Sequence, residues 1–142
     1  REKETIKRLA RVGFDNTLGY LNDGFESWKN AGKKTNYINT ISPNTFKEES
    51  KKKLLKVYDV RKPFEFNSSH LENSINVPLN NLNQNIKESE KENELFLHCQ
   101  TGYRSMIASS LLKIKGYKNV NDIEGGFVAL KSHGIKTLSS KI

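Results

Sequence analysis

Apolar residues recur in short runs, each closed by proline, glycine or charge. LKVYDV (55–60) is dense in apolar and β-branched residues and predicts a buried strand. INVP (75–78), ended by Pro78, predicts a second strand; ELFLH (94–98) predicts a third and NVNDI (119–123) a fourth. Helical signals lie between them. Ser42-Pro43 suits an N-cap and first-turn pair, and places Phe46 and Leu54 as core candidates on the helix that follows. Pro63 opens a short helical stretch, and LNNLNQNI (79–86) reads as a short amphipathic helical turn. SMIASSLLKIK (105–115) puts Ile107, Ala108, Leu111 and Leu112 on one face. Helices separate most strands, so the expected class is α/β with a mainly parallel sheet flanked by helices. Sites in such sheets lie beyond the carboxyl ends of the strands, and Asp59, Pro78 and Cys99 stand at such ends.

One pattern occurs twice. VGFDNTLGYLNDGFESWKNAGKKT (12–35) resembles KGYKNVNDIEGGFVALKSHGIKT (115–137) once a single residue of the first is looped out. Gly13 and Phe14 match Gly116 and Tyr117, Asn16 matches Asn119, Leu21 matches Ile123, and Gly24-Phe25 match Gly126-Phe127. Lys29, Gly32 and Thr35 match Lys131, Gly134 and Thr137. Both copies read as helix, glycine stop, short strand, glycine turn and short helix, because glycine takes the positive φ that ends a helix. Residues 1–35 are therefore expected to be the C-terminal tail of an upstream, truncated repeat, a helix–strand–helix remnant. Residues 36–142 are expected to form the complete domain. The remnant is expected to pack on its own domain or to pair two copies through Phe14, Phe25 and Trp28.

Composition narrows the class. Hydrophobic residues are 35% and charged residues 28% of 142, polar for a globular chain but above the disordered range. No apolar run approaches the roughly 18 residues of a membrane span, and no signal-peptide pattern opens the chain. A single cysteine makes no internal disulfide, so the expected location is a reducing, cytoplasmic one. The net charge of +8 is concentrated in residues 1–56, with 13 Lys/Arg against 7 Asp/Glu. No nucleic-acid motif accompanies that excess. It reads as a solvated surface able to attract small anions, so neither nucleic acid nor a membrane is an expected partner.

The chemistry concentrates in LHCQTGYRSM (97–106). A strand runs into Cys99 and a helix begins near Arg104, so the residues between must curl, which Gly102 permits. Backbone N–H groups of such a curl point inward as an anion nest, and the helix N-terminus and Arg104 add positive charge. A thiol held there should ionise more easily, and the thiolate is the reactive form. Four residues, Gln100, Thr101, Gly102 and Tyr103, separate Cys99 from Arg104. Tyrosine phosphatases resemble C-x5-R, one residue longer; the shorter ring suits a sulfur atom on Cys99 better than a tetrahedral phosphate. The three histidines have no metal-ligand spacing, and no cofactor is expected. His98 should point away from the Cys99 side, and His70 reads as a loop-holding residue.

Taken together, the chain resembles a rhodanese domain over roughly 42–137. The resemblance rests on Asp59-Val60-Arg61, Pro63, Glu65, Ser69-His70-Leu71, Asn76-Val77-Pro78, the loop Cys99 to Ser105, and Gly125-Gly126-Phe127 with Leu130 where Trp is usual. It implies a rhodanese-like fold and a sulfurtransferase in which Cys99 is catalytic and carries sulfur as a persulfide. Gln100, Thr101, Gly102, Tyr103, Arg104, Ser105, Asp59 and Arg61 would then bind the substrate. The implied donor is thiosulfate or a low-molecular-weight persulfide, and the implied acceptor a thiol or sulfite. Gln100 stands where many members carry Arg, which weakens thiosulfate as a donor. The tandem arrangement also resembles the C-terminal part of metallo-β-lactamase-fold persulfide dioxygenases fused to two rhodanese domains, which implies an upstream metal domain and a setting in sulfide detoxification. Two alternatives stay open: a rhodanese-like sulfur-carrier or docking module without catalysis, and a cysteine phosphatase or arsenate reductase.

Overall fold

The computed structural model describes residues 2–10 and 15–139. In chain order the elements are α1 (Glu2–Ala10), α2 (Gly24–Asn30), β1 (Asn39–Ile41), α3 (Pro43–Lys52), β2 (Lys56–Asp59), α4 (Pro63–Ser68), β3 (His70–Leu71) and β4 (Ser74–Asn76). There follow α5 (Leu82–Asn85), β5 (Glu94–His98), α6 (Tyr103–Ile114), β6 (Asn119–Ile123), α7 (Gly126–Ser132) and β7 (Thr137–Leu138). Two compact units emerge, Arg1–Tyr37 and Ile38–Ile142.

The larger unit is an α/β fold around a five-stranded sheet in the order β1-β6-β5-β2-β4, with every neighbouring pair parallel. Side-chain alternation along the strands divides the core in two. Tyr58, Leu95, Leu97 and Val120 face α5 and α6, joining Leu82, Ala108 and Leu112. Val57, Phe96 and Ile123 face α3 and α7, joining Phe46, Phe127 and Leu130. Both faces are covered, as a parallel sheet requires. The strands reach a common carboxyl edge after Asp59, Asn76, His98 and Ile123, where the loops converge.

The four expected strands form, and Ser42 caps α3 by accepting a 3.1 Å hydrogen bond from Thr45 N–H, with Pro43 in the first turn. Several expectations change. β1 is an added edge strand: three residues, only Ile41 partly covered, carry too little apolar pattern to stand out. β3 and β7 form a separate antiparallel pair. Leu54 is 83% exposed, because α3 stops at Lys52 and Leu55 takes the inward position. On α6 the buried face is Ser105, Ala108, Ser109 and Leu112, while Ile107 and Leu111 are part-exposed. Two serines occupy inward positions that an apolar periodicity cannot register.

Within the smaller unit, α1 and α2 form, but residues 15–21 make no strand, unlike their counterpart β6, which is paired on both sides by β1 and β5. The short-helix parts of the two copies agree closely. Asp23 and Gly24 take positive φ as Gly125 and Gly126 do, and Gly32 as Gly134 does. Gly32 N–H donates to Lys29 O and Lys33 N–H to Trp28 O, as Gly134 N–H donates to Lys131 O and Ile135 N–H to Leu130 O. Gly13 and Phe14 lie outside the described residues.

Candidate active site

β5 ends at His98 and α6 starts at Tyr103, so Cys99 to Gly102 make the whole turn. Gly102 has φ 103°, a conformation that costs an L side chain strain, and its carbonyl accepts from Met106 N–H as α6 begins. The curl closes around the sulfur. Gly102 N–H donates to Cys99 Sγ at 3.2 Å and the Ser105 hydroxyl lies 3.6 Å from it. Cys99 is 1% exposed and Ser105 buried. Burial alone would raise the thiol's pKa, but hydrogen bonds from Ser105, through both its N–H and hydroxyl, and from the N–H groups of Thr101 and Gly102 outweigh it. The thiol titrates below its ordinary value. The chemical capacity is a thiol that ionises more readily than a free one, with N–H donors already aimed at the charge.

α7 braces the turn from outside. Phe127 N–H donates to Cys99 O at 2.7 Å and Val128 N–H to Gln100 O at 3.2 Å. This approach needs Gly126: a β-carbon there, at φ +58°, would lie 2.9 Å from Gln100 C and closer still to Cys99 O.

Asp59-Val60-Arg61 and Asn76-Val77-Pro78 form one knot beside the loop. Asp59 accepts from Arg61 N–H at 2.9 Å, from Nε at 3.0 Å and from Nη2 at 2.6 Å. Asn76 Nδ2 donates to the carbonyls of Asp59 and Arg61, and Val60 N–H donates to His98 O. Arg61 is a hub: Nη2 donates to Ser69 O at 2.7 Å, Nη1 to Gln100 Oε1 at 3.1 Å, and the guanidinium covers the Phe127 ring at 4.0 Å. Asp59 and Arg61 are 0% and 2% exposed. Both expected substrate contacts are thus enclosed in the structure, and Arg61 reaches the loop through the Gln100 side chain.

The remaining candidates lie along the curl and the first turn of α6. Thr101 and Tyr103 are exposed, the latter by 77%, and Gln100 and Arg104 are half-buried. Arg104 forks onto Glu65: Nη1 donates to Oε2 at 2.7 Å and Nη2 to Oε1 at 2.8 Å. Glu65 also accepts from Lys62 N–H at the start of α4. The Arg104 hydrogen bonds hold the Glu65 carboxyl down at about 2. Sequence reasoning named Glu65 without this pairing, since 39 residues separate it from Arg104 and only the fold joins them.

His98 points to the opposite face, as alternation requires, and stacks near Phe127. Burial lowers its pKa, opposed by the Asp59 charge, so the ring is neutral near pH 7. His70 Nδ1 lies 2.8 Å from Phe66 O and its ring stacks on Phe66 at 4.0 Å, a loop-holding role. Among the described residues no cluster of His, Cys, Asp and Glu is arranged to hold a metal ion, and no helix is long and apolar enough to cross a membrane.

A family model described as rhodanese-like domain matches residues 42–133. A curated protein of Synechocystis sp., slr1261, described as uncharacterized, is 30% identical over 102 residues, which are 72% of this chain; the chain spans 57% of that protein's length. A crystal structure of a rhodanese-related protein from Thermoplasma volcanium is 31% identical with a TM-score of 0.63, covering 70% of this chain and 97% of that one. A rhodanese with anions from E. coli is 27% identical with a TM-score of 0.52, covering 59% of this chain and 96% of that one.

Proposed function

The chain belongs to the rhodanese-like domain family, and from that premise we propose that it is a sulfurtransferase whose carrier atom is Cys99 Sγ. The observation that carries the reading is the enclosure of that sulfur by the Gly102 N–H and the Ser105 hydroxyl, which favour an anion on it. The Cys99 thiolate attacks the outer sulfur of the donor. A Cys99–S bond forms, the donor's S–S bond breaks, and its electron pair leaves with sulfite from thiosulfate or with a thiolate from a persulfide. The outer sulfur keeps its oxidation level, so no oxidant or reductant enters. The persulfide left on Cys99 occupies the same ring of donors, which stabilises its charge as an oxyanion hole does for oxygen. A thiol or sulfite then takes the outer sulfur, and the electron pair of the breaking bond returns to Cys99. Cys99 is the only cysteine of the 142 residues, so no second thiol among them can resolve the persulfide, and the acceptor comes from outside the domain.

The shared turn geometry at Gly24 and Gly126, and at Gly32 and Gly134, supports reading residues 1–35 as the tail of a second copy. The fusion to a metallo-β-lactamase-fold domain rests on the tandem pattern alone.

The test is intact-mass spectrometry after incubation with thiosulfate or glutathione persulfide. A gain of about 32 Da, one sulfur atom, that vanishes in Cys99→Ser is expected. No gain with either donor would refute the reading. Vanadate-sensitive hydrolysis of an aryl phosphate would favour the phosphatase alternative.

A further inference from the structure

The charges bonded into the loop cancel in pairs. Two guanidiniums reach it. Arg61 is held by Asp59 through Nε and Nη2, and its remaining nitrogen, Nη1, donates to Gln100 Oε1. Arg104 gives both terminal nitrogens to Glu65 at 2.7 and 2.8 Å. Glu65 is fixed in turn: it sits at the third position of α4, where its carboxylate also accepts from Lys62 N–H at 3.1 Å. Neither arginine has both terminal nitrogens free for a ligand: each is paired with a carboxylate, and the Arg104 charge also acts on the Cys99 sulfur. An incoming sulfonate would have to draw Arg104 off Glu65 and approach the Glu65 charge, and like charges brought together repel. A persulfide presents its outer sulfur with at most one negative charge there and asks for no oxyanion contacts.

We infer that Glu65, by closing Arg104, is a specificity-determining residue that sets the site for low-molecular-weight persulfides over thiosulfate. The inference rests on the sulfur-transfer reading of Cys99 and adds the donor class and the residue that selects it. Glu65 acts through Arg104, so it is a positioning residue. Its removal changes the relative use of two donors, which a purely structural role would slow together. In the loading step from a persulfide, Cys99 S⁻ and RS–SH give Cys99–S–SH and RS⁻; from thiosulfate they give Cys99–S–S⁻ and sulfite. Both steps balance in atoms and charge; they differ in the charge borne by the leaving group and in the proton, which the persulfide donor brings to the new Cys99 persulfide and thiosulfate does not.

The experiment measures second-order rate constants for adding one sulfur to Cys99 of the full chain by intact mass, with glutathione persulfide and with thiosulfate. Wild-type protein is expected to load faster from glutathione persulfide. Glu65→Gln keeps the side-chain shape and removes the charge. It should raise the thiosulfate rate relative to the persulfide rate on the order of tenfold, about what one unpaired charge at a partly exposed site is worth. Gln100→Arg adds a cation from the other side of the loop, should shift the ratio the same way, and carries the test if Glu65→Gln fails to fold. Wild-type loading from thiosulfate at least as fast as from persulfide would overturn the inference, as would a ratio unmoved in the folded variants. Those results leave sulfur transfer standing. Loading from neither donor overturns the sulfur-transfer reading and this inference with it.

Discussion

Replacing Gly126 with alanine perturbs the contact that seats α7 against the cysteine loop. Two costs follow from the structure. At φ +58° an L side chain strains the backbone by about 1–2 kcal/mol. The new β-carbon also meets backbone, Cys99 O and Gln100 C, the latter at 2.9 Å, so no flexible side chain can yield. Overpacking of this kind costs about 1–3 kcal/mol. The sum, about 2–5 kcal/mol, corresponds to a fall in Tm of roughly 10 °C or more for a domain of this size. Gly116→Ala is the matched control: φ is +90°, but nothing lies within 4 Å of the added carbon, so only the backbone cost applies. Thermal unfolding of both variants, with the pH profile of Cys99 alkylation, measures the difference. Because Phe127 and Val128 N–H hold the carbonyls of Cys99 and Gln100, Gly126→Ala should also shift that profile, and Gly116→Ala should not. If Gly126→Ala is as mild as Gly116→Ala and leaves the alkylation profile unchanged, α7 does not brace the loop as argued.

Asp59→Asn leaves the Arg61 guanidinium buried without its counter-charge and should destabilise the protein by about 3–5 kcal/mol in urea unfolding. Ser105→Ala removes the hydroxyl 3.6 Å from Sγ and should raise the pH at which Cys99 reacts with iodoacetamide, with the backbone donors still in place. Glu65 titrates at about 2 rather than 4.5 because of Arg104, so its contribution to stability is complete above about 4.5 and is lost as pH falls towards 2. In Arg104→Met the acid limb of a stability–pH curve should flatten over that window, and an unchanged limb would refute the assigned pairing.

The sequence made some of this legible and hid the rest for physical reasons. LKVYDV and ELFLH are strands buried on both faces, so their runs of apolar residues stand out at once. Ser42-Pro43 announces a helix start because capping is a local interaction. The curl at Cys99 was legible for the same reason: strand, glycine and helix are adjacent in the chain. What stayed hidden joins distant residues. Arg104 meets Glu65, and Arg61 meets Gln100, each across 39 residues; nothing in either neighbourhood names its partner. Motif position marks Asp59 and Arg61 but says nothing of exposure, and their mutual pairing buries both. Ser105 and Ser109 hide the true inward face of α6, since a hydroxyl turned to the core weakens the apolar periodicity.

The central claim is that Cys99 both receives a sulfur and gives it up. The direct measurement starts from protein loaded at Cys99, freed of donor and mixed with sulfite, with intact mass and thiosulfate followed together in time. The account predicts that the added mass of about 32 Da disappears as one equivalent of thiosulfate forms, returning Cys99 to the thiol state. A persulfide that forms and then persists in excess sulfite and in excess thiol would contradict it, and would mark the domain as a holder of sulfur rather than a transferase.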